Sequence, residues 1–169
     1  GDTPKKGEFF KNLDLAKTLE EISKTKRKSF YEGRLAKEIA RFIKNQGGFL
    51  SFEDMSNYQS EWVEPVSSNY RGYDVWELPP NGQGIAALQI LNVLEGFDLK
   101  AMGLNSAEYV HHFVEAKKIA FADRAKYYAD PKFNNINIEY LISKEYAELR
   151  RKEINTSKAS QTDSAGILK

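Results

Sequence analysis

The chain has 169 residues, enough for a sizeable core in one domain or in part of a larger one. Its formal charge of +1 is spread along the sequence, so the basic face of a general nucleic-acid binder is absent and no nucleic-acid partner is expected. The lack of cysteine removes disulfides, thiol nucleophiles and Cys-ligated metals, and no apolar run approaches the roughly 18 residues of a membrane span.

The opening "GDTPKKGEFF" carries no signal-peptide pattern and reads as a start within a longer protein, which leaves the compartment open. Asn12 is a good N-cap for a helix carrying Leu15, Leu19 and Ile22. A short helical turn breaks near Gly33. A second helix then bears Leu35, Ile39, Phe42 and Ile43 on one stripe and stops at Gly47 and Gly48. Ser51 with Asp54 predicts a capping box and a short helix toward Tyr58. From Glu61 to Leu78 the residues favour strands. "NYRGY" marks a turn between a pair of them, and Pro65 places the first near an edge or a bulge.

The stretch "PPNGQGIAALQIL", residues 79–91, then opens a helix from about Gly84 to Glu95. Apolar residues wrap most of it, leaving Gln89, Asn92 and Glu95 as a thin polar stripe, so the helix belongs inside something larger than a surface layer. Leaving it uncovered would cost roughly 1.5–3 kcal/mol per large side chain, so the isolated chain is expected to self-associate or to repack its hairpin. Ser106 caps a long helix, Ala107 to Tyr127, on which Val110, Phe113, Val114, Ala120 and Phe121 are expected to face inward. Pro131 disfavours helix at Asp130, and a last helix runs from Lys144 to Ile154. Residues 156–169 are small and polar and read as a flexible tail.

Little of this carries overt chemistry. From Gly82 the letters fit G-x-G-x-x-A, the dinucleotide fingerprint. Pro79 and Pro80 interrupt the strand-to-loop hand-over, and no second parallel strand ending in an acid follows, so the loop reads as structural. His111 and His112 are the only histidines. As helix neighbours they point about 100° apart and cannot grip one metal, and His112 with Glu115 gives only two ligands, so no metal site is assigned. No G-x-S-x-G elbow supports a serine triad. Thr3 is followed by Pro4 within the chain and is not a freed N-terminal nucleophile. Asp123-Arg124 reads as an ion pair or a carboxylate binder, with structural pairing the plainer reading.

The order of segments, more than any one motif, resembles the γ-glutamyltranspeptidase family. The carriers are N-x-D-L-A-x-T-L at Asn12 to Leu19, F-Y-x-G at Phe30 to Gly33 and G-G-x-L-S-x-E-D at Gly47 to Asp54. Further along come Y-R-G-Y at Tyr70 to Tyr73, the P-P loop with G-I-A-x-L-Q-x-L-N-x-L-E, and A-D-R with Y-x-A-D-P between Ala122 and Pro131. Where many members carry P-P-S-S-G-G, this chain has Asn81-Gly82-Gln83-Gly84, wording closer to the acylase-related branch, which puts the choice of γ-glutamyl donor in question. Leu13 also stands where Pro is usual after the helix cap.

The resemblance implies an α+β fragment of an N-terminal-nucleophile (Ntn) hydrolase αββα sandwich, mostly helical with one β-hairpin. Residues 1–155 would be the C-terminal portion of the large subunit, and 156–169 a tail preceding the autocleavage site. It further implies a proenzyme that cuts itself and a Thr nucleophile outside this chain, which transfers or hydrolyses γ-glutamyl groups without a cofactor. Its free α-amine serves as base, which suits the poverty of histidine. No catalytic residue is therefore assigned, and Asn81 and Gln83 are the candidate substrate-binding residues on a site-wall loop. The implied partners are the small subunit and the N-terminal part of the same proenzyme, with a γ-glutamyl peptide as substrate. Periplasmic, secreted or surface-bound placement is common in the family. The competing reading is a non-catalytic helical protein-interaction module.

Overall fold

The computed structural model describes residues 3–168, which fall into two compact units divided between Glu61 and Trp62.

The first unit is helical: α1 (Leu13–Thr25), α2 (Lys28–Tyr31), α3 (Arg34–Asn45) and α4 (Phe52–Asn57). Asn12 accepts the Leu15 N–H at 2.9 Å and starts α1. α3 closes with Gly48 N–H donating to the Ile43 carbonyl at 2.9 Å and Gly47 N–H to Lys44 at 3.0 Å, a Schellman stop. α4 begins with the expected reciprocal box: Ser51 Oγ accepts Asp54 N–H at 3.1 Å, and Asp54 Oδ2 accepts Ser51 N–H at 2.8 Å. Glu21 of α1 holds the next two helices, accepting from Ser29 Oγ and from Arg34 Nε at 3.0 Å. Little of this unit is buried. Ser29, Leu35, Ala36 and Met55 are, whereas Phe9, Phe10, Leu15, Leu19, Phe42 and Phe49 lie exposed.

The second unit starts with the hairpin β1 (Val66–Tyr70) and β2 (Tyr73–Glu77), antiparallel with Val66 opposite Glu77 and Tyr70 opposite Tyr73. Its turn has positive φ at both Arg71 (52°) and Gly72 (92°), which matches the right-handed twist of paired strands. Then come α5 (Gly84–Leu94), the four-residue α6 (Leu99–Met102), α7 (Ala107–Tyr127), the four-residue α8 (Ile138–Leu141) and α9 (Lys144–Arg151). Side-chain oxygens of Asp98, Ser106, Asn137 and Ser143 cap the last four.

α5 is the centre of this unit, packed against the hairpin, α7 and α9. Val93 and Leu94 join Ala116, Ile119, Ala147 and Ile154 in one cluster, and Ile85 joins Leu141 and Tyr146 in another. The stripe that the sequence marks as polar is itself inside. Asn92 accepts from Ser68 Oγ and Lys144 Nζ, both at 2.6 Å, and donates to the Ile142 carbonyl at 2.6 Å. It thereby ties α5 to β1 and to the start of α9.

α7 corrects an expectation. Ala120 faces inward as predicted, but Val110, Phe113 and Val114 are 46%, 43% and 43% exposed and Phe121 is half-buried. The buried face instead carries His112, Glu115, Ala116, Ile119, Ala120 and Asp123. Polar partners set this rotation. His112 stands edge-on to Phe97 with ring centroids 4.5 Å apart and donates from Nδ1 to the Glu108 carbonyl at 2.8 Å. Glu115 accepts from Lys118 Nζ at 2.8 Å and from Ser160 N–H at 3.1 Å. Counting apolar letters alone points to the wrong side, because paired polar groups are as much at home in this interior as aliphatic ones.

The segment after α9 has no regular structure but several anchors. Lys118 Nζ donates to the Ser160 carbonyl at 2.7 Å and pairs with Asp163 at 3.4 Å. Arg150 donates to the Ser164 carbonyl at 2.7 Å, and Gly166 N–H donates to Asp123 Oδ1 at 2.8 Å. Gly166 is needed here: a Cβ would lie 2.2 Å from the Tyr146 hydroxyl oxygen.

Candidate functional site

The loop between β2 and α5 passes buried Pro80 and then exposes Asn81, Gly82 and Gln83. Gly84 explains half of the fingerprint. A Cβ on it would meet the Glu77 carboxylate at 2.6 Å and the Leu78 carbonyl at 3.0 Å, so this glycine lets the helix start press against the end of β2. Gly82 has nothing within 4 Å of a Cβ. The only strand pairing among the described residues is the antiparallel hairpin, and α5 leads into α6 and α7, so the parallel βαβ frame of a dinucleotide site is missing.

Across from the loop stands the last turn of α7. Arg124 Nη1 donates to Gln83 Oε1 at 2.6 Å, and its guanidinium lies 4.7 Å from the Phe121 ring centroid, a stacked cation–π contact. Together with Ala125 and Tyr128, these groups enclose an open cavity of about 420 Å³ lined by Asn81, Gly82, Gln83, Arg124, Ala125 and Tyr128. Both sequence-predicted residues, Asn81 and Gln83, therefore line one cavity. Asp123 and Arg124, read as a pair, part company: Arg124 faces the cavity, and Asp123 is fully buried on the other side of the helix.

The wall behind the cavity is a chain of hydrogen bonds. Tyr128 Oη donates to Gln89 Oε1, and Gln89 Nε2 donates to Asp123 Oδ2 at 3.0 Å. Tyr146 Oη also donates to Asp123 Oδ2 at 3.0 Å, while Gly166 N–H and, at 3.5 Å, Arg150 serve Oδ1. Burial, and next the Asp123 charge, push the Tyr128 and Tyr146 hydroxyls above the usual tyrosine range, so both stay protonated donors. The α7 side of the site thus rests on a hydrogen-bonded layer, in which the buried Arg150 Nε is left without a partner. Sequence reasoning missed Tyr128 and Gln89. The available signal was spacing, since Arg124 and Tyr128 are four apart and share a helix face.

No group of three metal-ligating side chains comes together among the described residues. His111 donates from Nε2 to the Asn155 carbonyl at 2.8 Å, away from Glu115's partners. Among the described residues, no helix is long and apolar enough to cross a membrane. The cavity offers amides, one guanidinium and one phenol. Such groups bind and orient a polar substrate, and none of them is a nucleophile beside a base.

Comparison with known proteins gives a consistent picture. The family model described as gamma-glutamyltranspeptidase matches residues 1–167. A glutathione hydrolase-like proenzyme of Bacillus subtilis strain 168 is 42% identical over 154 residues, covering 91% of this chain and 29% of the relative. The glutathione hydrolase proenzyme of Escherichia coli K12 is 39% identical over 160 residues, 94% of this chain and 28% of the relative. Among solved structures, a cephalosporin acylase from Bacillus halodurans superposes with a TM-score of 0.72 at 42% identity, over 97% of this chain and 30% of that one. The chain thus spans less than a third of the length of each of these three proteins.

Proposed function

Because the chain belongs to the γ-glutamyltranspeptidase family, as an α+β fragment of the Ntn-hydrolase sandwich, we propose that it builds one wall of a site that transfers or hydrolyses γ-glutamyl amides. The nucleophile, a threonine freed at a new N-terminus, is supplied by another segment of the same proenzyme, and its own α-amine is the base. The observation that carries the reading is the cavity. The loop where this chain departs from the family's P-P-S-S-G-G wording places Asn81 and Gln83 opposite Arg124 around one open space. The chain's own part in the chemistry is to position substrate. A neutral amide at Asn81 accepts or donates as the substrate requires, and Gln83 holds the Arg124 fork in place. Residues 156–169 lead toward the point of self-cleavage.

The test is a kinetic comparison in a complex of this chain with the complementary segments of the Bacillus subtilis relative. Asn81→Ala is expected to raise KM for a γ-glutamyl anilide by about two- to tenfold with little change in kcat, the signature of a lost binding contact. An unchanged KM would remove Asn81 from the site.

A further inference from the structure

We infer that Arg124 makes this cavity a receptor for the terminal carboxylate of a peptide, the end of the substrate remote from the amide that reacts. The first observation is charge. Arg34, Arg41 and Arg150 each have a carboxylate within ion-pair distance, at Glu21, Glu38 and both Asp123 and Glu153 respectively. Arg124, like Arg27, Arg71 and Arg151, has none among the described residues, and of these four it alone lines the cavity. Its hydrogen-bond partner is the neutral Gln83 oxygen, engaged by Nη1 alone, which leaves Nε and Nη2 as a planar pair of donors. Two parallel donors at that spacing match the two oxygens of a carboxylate, and a neutral anchor orients the fork without cancelling its charge.

The second observation is preorganisation. Phe121 stacks under the guanidinium and Gln83 holds one edge, so little side-chain freedom remains to be lost on binding. The third is the lining. Arg124 is the single cation among six lining residues and is accompanied by the Asn81 amide, while the Tyr128 proton is already given to Gln89; one cation suits a monoanion better than a phosphate dianion. The start of α5 does not compete for the anion, because the Glu77 carboxylate already lies beside Gly84. Finally, Asn81, Gly82, Gln83 and Ala125 are all exposed. A solvent-open rim suits a group that stays partly hydrated, whereas the reacting amide requires water to be excluded. The choice of a peptide as source rests on the proposed γ-glutamyl chemistry, but the carboxylate recognition itself does not.

The probe is glycylglycine against glycylglycinamide, titrated into the full ¹⁵N-labelled chain while the backbone amides of Gly82, Gln83 and Gly84 are followed. Glycylglycine is expected to shift these resonances saturably, and the amide to bind about tenfold more weakly, the equivalent of losing one charge-assisted pair. Arg124→Gln should weaken glycylglycine by the same factor and Arg124→Lys by less, while Lys126→Gln, on the exposed side of the helix, should leave it unchanged. Equal binding of the two dipeptides, undiminished binding to Arg124→Gln, or no saturable shift would each overturn the inference. Binding that depends on Arg124 in a protein whose reconstituted form lacks turnover would leave this inference standing and remove the enzymatic reading. Turnover without such binding would do the reverse.

Discussion

Asp123 and Gly166 meet where the chain's last stretch crosses its core, and the fit leaves no slack. Three neutral donors and Arg150 converge on one fully buried carboxylate, and the donor from Gly166 reaches it because that residue has no side chain. Gly166→Ala is expected to lower stability by about 1–3 kcal/mol, as overpacking does, seen as a reduced Tm in thermal unfolding. Tyr146→Phe removes the nearest of the atoms that collide, the hydroxyl oxygen. The double variant should therefore lose less than the sum of the two single losses, and strict additivity in that cycle would show that the two residues do not touch. Tyr128 and Arg124 argue the same point from the surface side: their roles come from partners that lie 39 and 41 residues away in sequence.

Elements with a local cause were legible in the letters. The Asn12 cap, the Ser51–Asp54 box, the glycine stop after α3, the "NYRGY" turn and the Ser106 cap all stand where the sequence places them. Ser51→Ala should cost α4 about 1 kcal/mol, read as a loss of helical signal and earlier unfolding of the first unit. What stayed hidden was set by distant contacts. α6 and α8 are single turns, too short for periodicity to register. The inward face of α7 is chosen by His112, Glu115 and Asp123, whose partners belong to other elements or to the segment after α9. Of the candidate site, Asn81 and Gln83 stood out because they break a family wording, and Arg124 was visible only together with Asp123, as an ion pair or a carboxylate binder. The apolar face left open also differs from the one expected. α5, which the sequence nominates, is covered, while Val110, Phe113 and Val114 of α7 lie open. Phe113→Glu is expected to reduce the association state in sedimentation velocity without lowering Tm. An unchanged sedimentation coefficient would exonerate that face.

For the molecule as a whole, acid should loosen the second unit at the junction of hairpin, α5 and α9. Lys144 first, and then the Arg71 N–H, hold the Glu95 carboxyl below the usual glutamate range. A carboxyl depressed in the folded state stabilises it fully above its unfolded value, about 4.3, and that contribution fades as pH falls through the lower folded value. Glu95→Gln should therefore flatten the fall of Tm with pH below about 4.3 and leave its neutral-pH slope unchanged. The wider claim is that this polypeptide is a wall and scaffold for γ-glutamyl chemistry, with no nucleophile of its own. The most direct test is release of p-nitroaniline from γ-glutamyl-p-nitroanilide by the chain alone and by its complex with the complementary segments of the Bacillus subtilis relative. Turnover by the complex and none by the chain alone is the predicted result. Turnover by the isolated chain, or a stable soluble complex with none, would contradict it.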